Sequence, residues 1–148
     1  MDKAGYEIRE RLFGMLLVLG NRLQTVGNNF YEEITSKQWF VMAGITLFAE
    51  KPPTINEIAD AIGSSHQNMK QIVLKLEKAG FVKMYTDETD RRKTRVKLTE
   101  KYSEFEQKYN KKESELLNAI YNGIDPVALK VTAETLEKLE QNMIHLKG

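Results

Sequence analysis

Apolar residues near the start of the chain fall at alternating steps of three and four: Ile8, Leu12, Met15, Leu19, Leu23, Val26 and Phe30. That spacing places them on one stripe of an amphipathic helix of roughly seven turns. Gly14, Gly20 and Gly27 weaken it locally, so some bending or an early end is expected. A second helix, "KQWFVMAGITLFA", can be capped by Ser36 and stops before Pro52-Pro53, because the residue ahead of a proline avoids the α region. Thr54, with Glu57 three residues on, has the spacing of a capping box and opens the short helix "INEIADAI", which Gly63 ends. Ser64 or Ser65 caps a fourth helix, "HQNMKQIVLKLEKAG", closed by Gly80. Two short helices joined by a tight glycine-containing turn form a helix-turn-helix.

Two β-rich runs follow, "FVKMYT" and "TRVKL", around the tip "TDETDRRKT", which is too polar to pack on anything. They predict a hairpin. Thr99 then caps a long helix reaching to about Asn122, and Asp125 caps the last one, with Pro126 at its first position. Leu129, Leu136, Leu139, Met143 and Leu146 form its stripe. The expected fold is mainly α with a small β-hairpin wing. Residues 36–99 make a winged helix-turn-helix lobe within a single domain spanning 1–148. A core of about sixty residues cannot cover the apolar stripes of the outer helices, 1–35 and 100–148. They are expected to pack together and against a second copy, as dimerisation helices of a homodimer.

Composition narrows the chemistry. The chain has 148 residues, 41% hydrophobic and 29% charged, which suits an ordinary globular protein. It contains no cysteine, which excludes disulfides, thiolate zinc sites, cysteine nucleophiles and thiol redox sensing. No stretch approaches a membrane span and no basic leader opens the sequence, so a cytoplasmic location is expected. The net charge of +1 conceals an uneven distribution. Residues 64–102 carry 10 bases and 5 acids, while the segments on either side are each mildly acidic. A local excess of this kind binds polyanions even when the whole molecule is nearly neutral.

In the fourth helix Met69, Ile72, Val73 and Leu76 recur at the spacing of a buried face. Ser65, Gln67, Asn68, Gln71, Lys75 and Lys78 lie mostly on the other side. Asn and Gln pair bidentately with adenine edges, Lys reaches guanine or phosphate, and the helix N-terminus offers unpaired amides to a phosphate. A solvated helix face is the plainer reading of this helix alone; the adjacent hairpin shifts the balance toward DNA. Arginine on a wing can enter a narrow minor groove. Asp87, Glu88 and Asp90 would repel phosphate there, so Asp90 is assigned to orienting a neighbouring arginine, with Arg91 or Arg92 at the tip.

The run from Thr54 to Glu100, with "DRR" followed by "VKLT", resembles the MarR (multiple antibiotic resistance regulator) family of winged-helix transcription factors. "SKQWFVM" fits that family's second helix, and the helical flanks fit its dimerisation region. The resemblance implies a homodimer bound to a pseudo-palindromic double-stranded DNA operator, usually repressing nearby genes until a small ligand intervenes. It implies base or backbone contacts by Ser65, Gln67, Asn68, Lys70, Gln71 and Lys75, and wing contacts by Arg91 and Arg92. Tyr102 departs from the pattern, since members often carry glycine there.

Peroxide-sensing members use a cysteine, which this chain lacks. His66 and His145 have no ligand-spaced partner, so neither a metal nor a cofactor is expected. A small organic effector is possible where the dimerisation helices meet the lobe. Tyr6, Met15, Trp39, Phe40 and Met42 could line that crevice, with Arg11 or Arg22 for an anionic group, although core packing accounts for the same residues. No Ser-His-Asp constellation or glycine-rich phosphate loop supports an enzyme. A winged-helix adaptor that binds protein through its basic face is the alternative to a DNA-binding regulator. RNA binding would need stacking aromatics, and Tyr85 alone is too little.

Overall fold

The computed structural model describes residues 7–146. Six helices and one hairpin occur among them: α1 (Ile8–Phe30), α2 (Ser36–Thr46), α3 (Ile55–Ala61), α4 (His66–Lys78), β1 (Val82–Thr86), β2 (Thr94–Leu98), α5 (Glu100–Ile120) and α6 (Pro126–Leu146). The chain divides into two compact units, residues 1–104 and 105–148.

In the first unit the core lies between α2, α3, α4 and the hairpin. Val41, Met42 and Ile45 meet Ile58, Met69, Val73 and Leu76, and Phe81, Val82 and Val96 close it from the strands. The hairpin is antiparallel, with Val82 opposite Leu98 and Thr86 opposite Thr94. A third piece of extended chain joins its other edge. Val96 N donates to Pro53 O at 2.8 Å, and Thr54 forms a bridge with Arg95. The double proline therefore does more than end a helix, since its carbonyls serve as acceptors for β2.

Local chemistry explains most boundaries. Thr54 and Glu57 form a reciprocal capping box, Thr54 Oγ1 accepting from Glu57 N at 3.2 Å and Glu57 Oε2 from Thr54 N at 2.7 Å. Gly63 sits at φ +68 in the turn between α3 and α4, a region where a Cβ is strained. Helix α2 is capped by Thr35 with Gln38, not by Ser36, which is already inside the helix. Ser36 instead gives its N–H and hydroxyl to Asn28 Oδ1, at 2.8 and 3.0 Å, tying α2 to α1. Gly27 permits that approach: a Cβ there would stand 2.6 Å from the Ser36 Cβ. The glycines of α1 do not end it early; it runs to Phe30, and Gly27 provides clearance.

Thr99 also links segments far apart in the sequence. Its hydroxyl donates to Gly80 O at 2.6 Å and to Phe81 O at 3.1 Å, securing the junction after α4. Lys101 Nζ reinforces the same corner by donating to Ala79 O at 2.7 Å.

In the second unit, Phe105 and Tyr109 are buried with ring centroids 4.7 Å apart. Asp125 caps α6 as the sequence predicts, Oδ1 accepting from Val127 N at 2.6 Å and Ala128 N at 3.3 Å. Helix α6 buries no residue, and neither does α1 in the first unit. Leu12, Leu16, Leu19 and Leu23 of α1, and Val131, Leu136, Leu139 and Met143 of α6, all face solvent in the single chain.

Candidate nucleic-acid interface

Helix α4 is oriented by its buried side. Met69, Val73 and Leu76 point into the core, and at 100° per residue the opposite direction belongs to Gln67, Gln71, Leu74 and Lys78, all exposed. Asn68 and Lys75 flank that stripe on the side toward α1 and α2, and Lys70 flanks it on the other. Ser65 is the N-cap, its hydroxyl accepting from Asn68 N at 3.2 Å. This leaves the first-turn amides of His66 and Gln67 without intrahelical partners. Lys75 and Lys78 occupy the last turn, where positive charge complements the helix dipole. Asn68 Nδ2 donates to Ser64 Oγ at 3.0 Å, and His66 Nε2 lies 3.3 Å from Asp60 Oδ1.

Asn68, Ile72 and Lys75 also form one wall of a crevice of about 280 Å³, closed by Gln24 and Asn28 of α1 and by Thr35, Lys37 and Gln38. Apart from Ile72, its lining residues carry polar or charged groups. The aromatic set suggested by the sequence does not line it: Met42 is fully buried in the core, Trp39 stacks on Tyr31 at 6.2 Å, and Phe40 is exposed. Met15, Arg11 and Arg22 are exposed on α1, and Tyr6 lies outside the described residues.

The wing tip is not the unpacked charged loop that its composition suggests. Asp87, at 3% exposure, is among the most enclosed polar residues of the protein. Its Oδ1 accepts from Thr89 Oγ1 at 2.6 Å, Thr89 N at 2.8 Å and Asp90 N at 2.9 Å, which folds the tip over the carboxylate. Its Oδ2 accepts from Arg95 Nε and lies 3.1 Å from Lys51 Nζ. Arg95 is equally enclosed, donates to Pro52 O at 2.6 Å, and lies 3.6 Å from Glu57 Oε2. The hydroxyl of Thr89, the Arg95 guanidinium and the two backbone amides hold the Asp87 carboxyl well below the usual carboxylate range. Sequence reasoning treated Asp87 as a repulsive tip charge and did not single out Arg95. The eight-residue separation of an acid and a base across a hairpin was the only available signal.

With Asp87 withdrawn, the tip presents Arg91, Arg92 and Lys93 to solvent. Asp90 Oδ1 accepts from Arg92 N at 3.1 Å and from Arg92 Nε at 3.3 Å, so the acid that orients an arginine acts on Arg92. Arg91 has no carboxylate within ion-pair distance among the described residues, and both arginines project outward. Along the hairpin, Lys97 Nζ lies 5.3 Å from the Tyr85 ring centroid.

A helix-turn-helix followed by a two-stranded wing, with one helix face and the wing tip left polar and basic, defines a winged-helix protein. Residues 34–94 match the model of the MarR family. Solved structures agree over nearly the whole chain. A MarR/EmrR family transcriptional regulator from Acinetobacter sp. ADP1 superposes with a TM-score of 0.81 at 17% identity, covering 95% of this chain and 99% of that one. The Streptomyces coelicolor regulator PcaV, in complex with its natural ligand, gives 0.77 at 16% identity, with coverage of 93% and 97%. The S. aureus MepR–DNA complex gives 0.76 at 16% identity, with coverage of 93% and 99%. At these identities the likeness establishes the fold. Among the described residues no helix is long and apolar enough to cross a membrane.

Proposed function

We propose that this protein is a sequence-specific, dimeric DNA-binding transcriptional regulator of the cytoplasm, a repressor released by a small ligand. The observation that carries the reading is the union of two features in one lobe: the polar outer stripe of α4, and a wing tip that presents Arg91 and Arg92 to solvent while Asp87 is folded inward. Helix α4 reads base edges in the major groove through Gln67 and Gln71, Lys70 and Lys75 reach bases or backbone, and Ser65 and Asn68 act at the helix start. Arg91 and Arg92 serve the adjacent minor groove. The DNA complex of MepR, which shares the fold, supports this reading.

Dimerisation is supported by α1 and α6, which bury nothing in the single chain; apolar stripes of that extent are covered in a working protein. A two-fold dimer places its reading helices about one DNA turn apart, ~34 Å, on a pseudo-palindromic operator. The effector reading draws on the crevice beside α4. Lys37 and Lys75 suit a small anionic ligand, and Asn68 and Lys75 belong both to the crevice and to the reading helix, so ligand and DNA would draw on the same side chains. Coupling of that kind is reciprocal.

A mobility-shift titration with the DNA flanking the protein's own gene, repeated at raised salt, tests the proposal. A discrete retarded complex that weakens steeply with salt is expected. Absence of any complex in dilute buffer, or a purely monomeric protein in sedimentation, would sink it.

A further inference from the structure

We propose that Leu74 reads a thymine methyl group in the major groove, so that one apolar contact contributes to the sequence preference of α4. The inference rests on the DNA-binding reading above and adds a specificity-determining residue that charge and hydrogen bonding do not point to.

The case begins with the direction of the side chain. Leu74 is 41% exposed and lies in the stripe directly opposite Met69, Val73 and Leu76, in line with Gln67, Gln71 and Lys78. The neighbouring apolar residues of α4 are all otherwise engaged: Val73 and Leu76 are fully buried, and Ile72 lines the crevice toward α1 and α2. Leu74 is thus the one apolar side chain on the outer face of a helix whose other outward positions are amides, a hydroxyl, an imidazole and lysines. Leu74 is the residue of this apolar set that keeps a large exposed surface.

Spacing gives the contact a place. From Gln67 to Leu74 the helix rises about 10 Å, and at 3.4 Å per base pair the stripe spans about three steps of duplex. The two glutamines suit adenine, whose N7 and N6 accept and donate to an amide. Leucine has nothing to donate or accept. The apolar group that a base pair offers in the major groove is the C5 methyl of thymine. Opposite a cytosine amino group or a guanine carbonyl, the same leucine would exclude water without replacing its hydrogen bonds, which is costly. Leu74 therefore favours A·T at its step both by attraction to the methyl and by penalty against G·C.

Uracil substitution isolates the methyl without altering pairing. Each thymine of the operator is replaced singly by uracil, and affinities are measured for the wild type, Leu74→Ala and Leu74→Met, with circular dichroism confirming that both variants fold. Removing one methyl from an apolar contact corresponds to roughly a fourfold loss. At one thymine per half-site the wild type should lose about that factor, Leu74→Met should keep part of the sensitivity, and Leu74→Ala should bind thymine and uracil operators alike. If no thymine shows an effect that Leu74→Ala abolishes, the inference is wrong while tight wild-type binding leaves the DNA reading intact. If the wild type binds no duplex, it is the DNA reading that has failed.

Discussion

Arg91→Ala should make operator binding measurably less sensitive to salt. The structure separates the two wing arginines: Arg92 is held by Asp90 at 3.3 Å, whereas Arg91 meets no carboxylate among the described residues. A cation that is free in the unbound protein releases a full counterion equivalent when it neutralises a phosphate. One such contact contributes about 0.9 to the slope of log affinity against log salt, so the two Arg91 side chains of a dimer contribute about 1.8. Between 50 and 200 mM salt, a fourfold change, that slope corresponds to about 12-fold in affinity. Over this range the wild type should therefore lose about 12-fold more affinity than Arg91→Ala. Arg92→Ala should change the slope less, because Asp90 already balances part of that charge. Fluorescence anisotropy with a labelled operator at four salt concentrations gives each slope directly. Both substitutions lie at an exposed tip, so thermal stability should stay close to that of the wild type. Equal slopes for the wild type and Arg91→Ala, or a larger drop for Arg92→Ala, would refute the assignment of the freer charge.

Two further outcomes follow from the wing base and the turn of the helix-turn-helix. Asp87→Asn should loosen the hairpin, seen as faster proteolysis between Thr86 and Thr94 and weaker operator binding at neutral pH. Because the folded Asp87 carboxyl sits below its ordinary range, its contribution is complete above about pH 4 and is lost as the pH falls further. The stability gap between the wild type and Asp87→Asn should thus narrow in acid melts below that pH, and a gap that widens there would contradict the geometry. Gly63→Ala meets open space but must hold φ at +68, so it should cost about 1–2 kcal/mol from backbone strain alone, read in urea melts. An unchanged midpoint would mean that the turn relaxes.

Much of the lobe was legible because its signals are local. The Thr54–Glu57 box, the Asp125 cap and the closing positions of Gly63 and Gly80 are each set by residues within one helical turn. The apolar spacing of α4 identified Met69, Val73 and Leu76 as its buried side for the same reason, whereas Ile72, grouped with them, is half-buried and borders the crevice. Local rules misled where a side chain had a more distant partner. Ser36 has the composition of a cap, yet it lies inside α2 and bonds to Asn28, eight residues back. Gly27 looked like a weak point in α1 because its close neighbour, Ser36, belongs to another helix.

The candidate interface divides along the same line. Sequence alone determined that a basic, amide-rich helix precedes an arginine-bearing hairpin, since composition and periodicity are properties of consecutive residues. Tertiary structure decided which charges are available. It withdrew Asp87 into a pair with Arg95, linked Arg95 to Pro52 forty-three residues earlier, and left Arg91 free. It also turned Asn68 and Lys75 toward a crevice and left Leu74 facing outward. Whether a charge meets solvent or a buried partner depends on contacts between segments far apart in the chain, and no window of neighbouring residues contains that information.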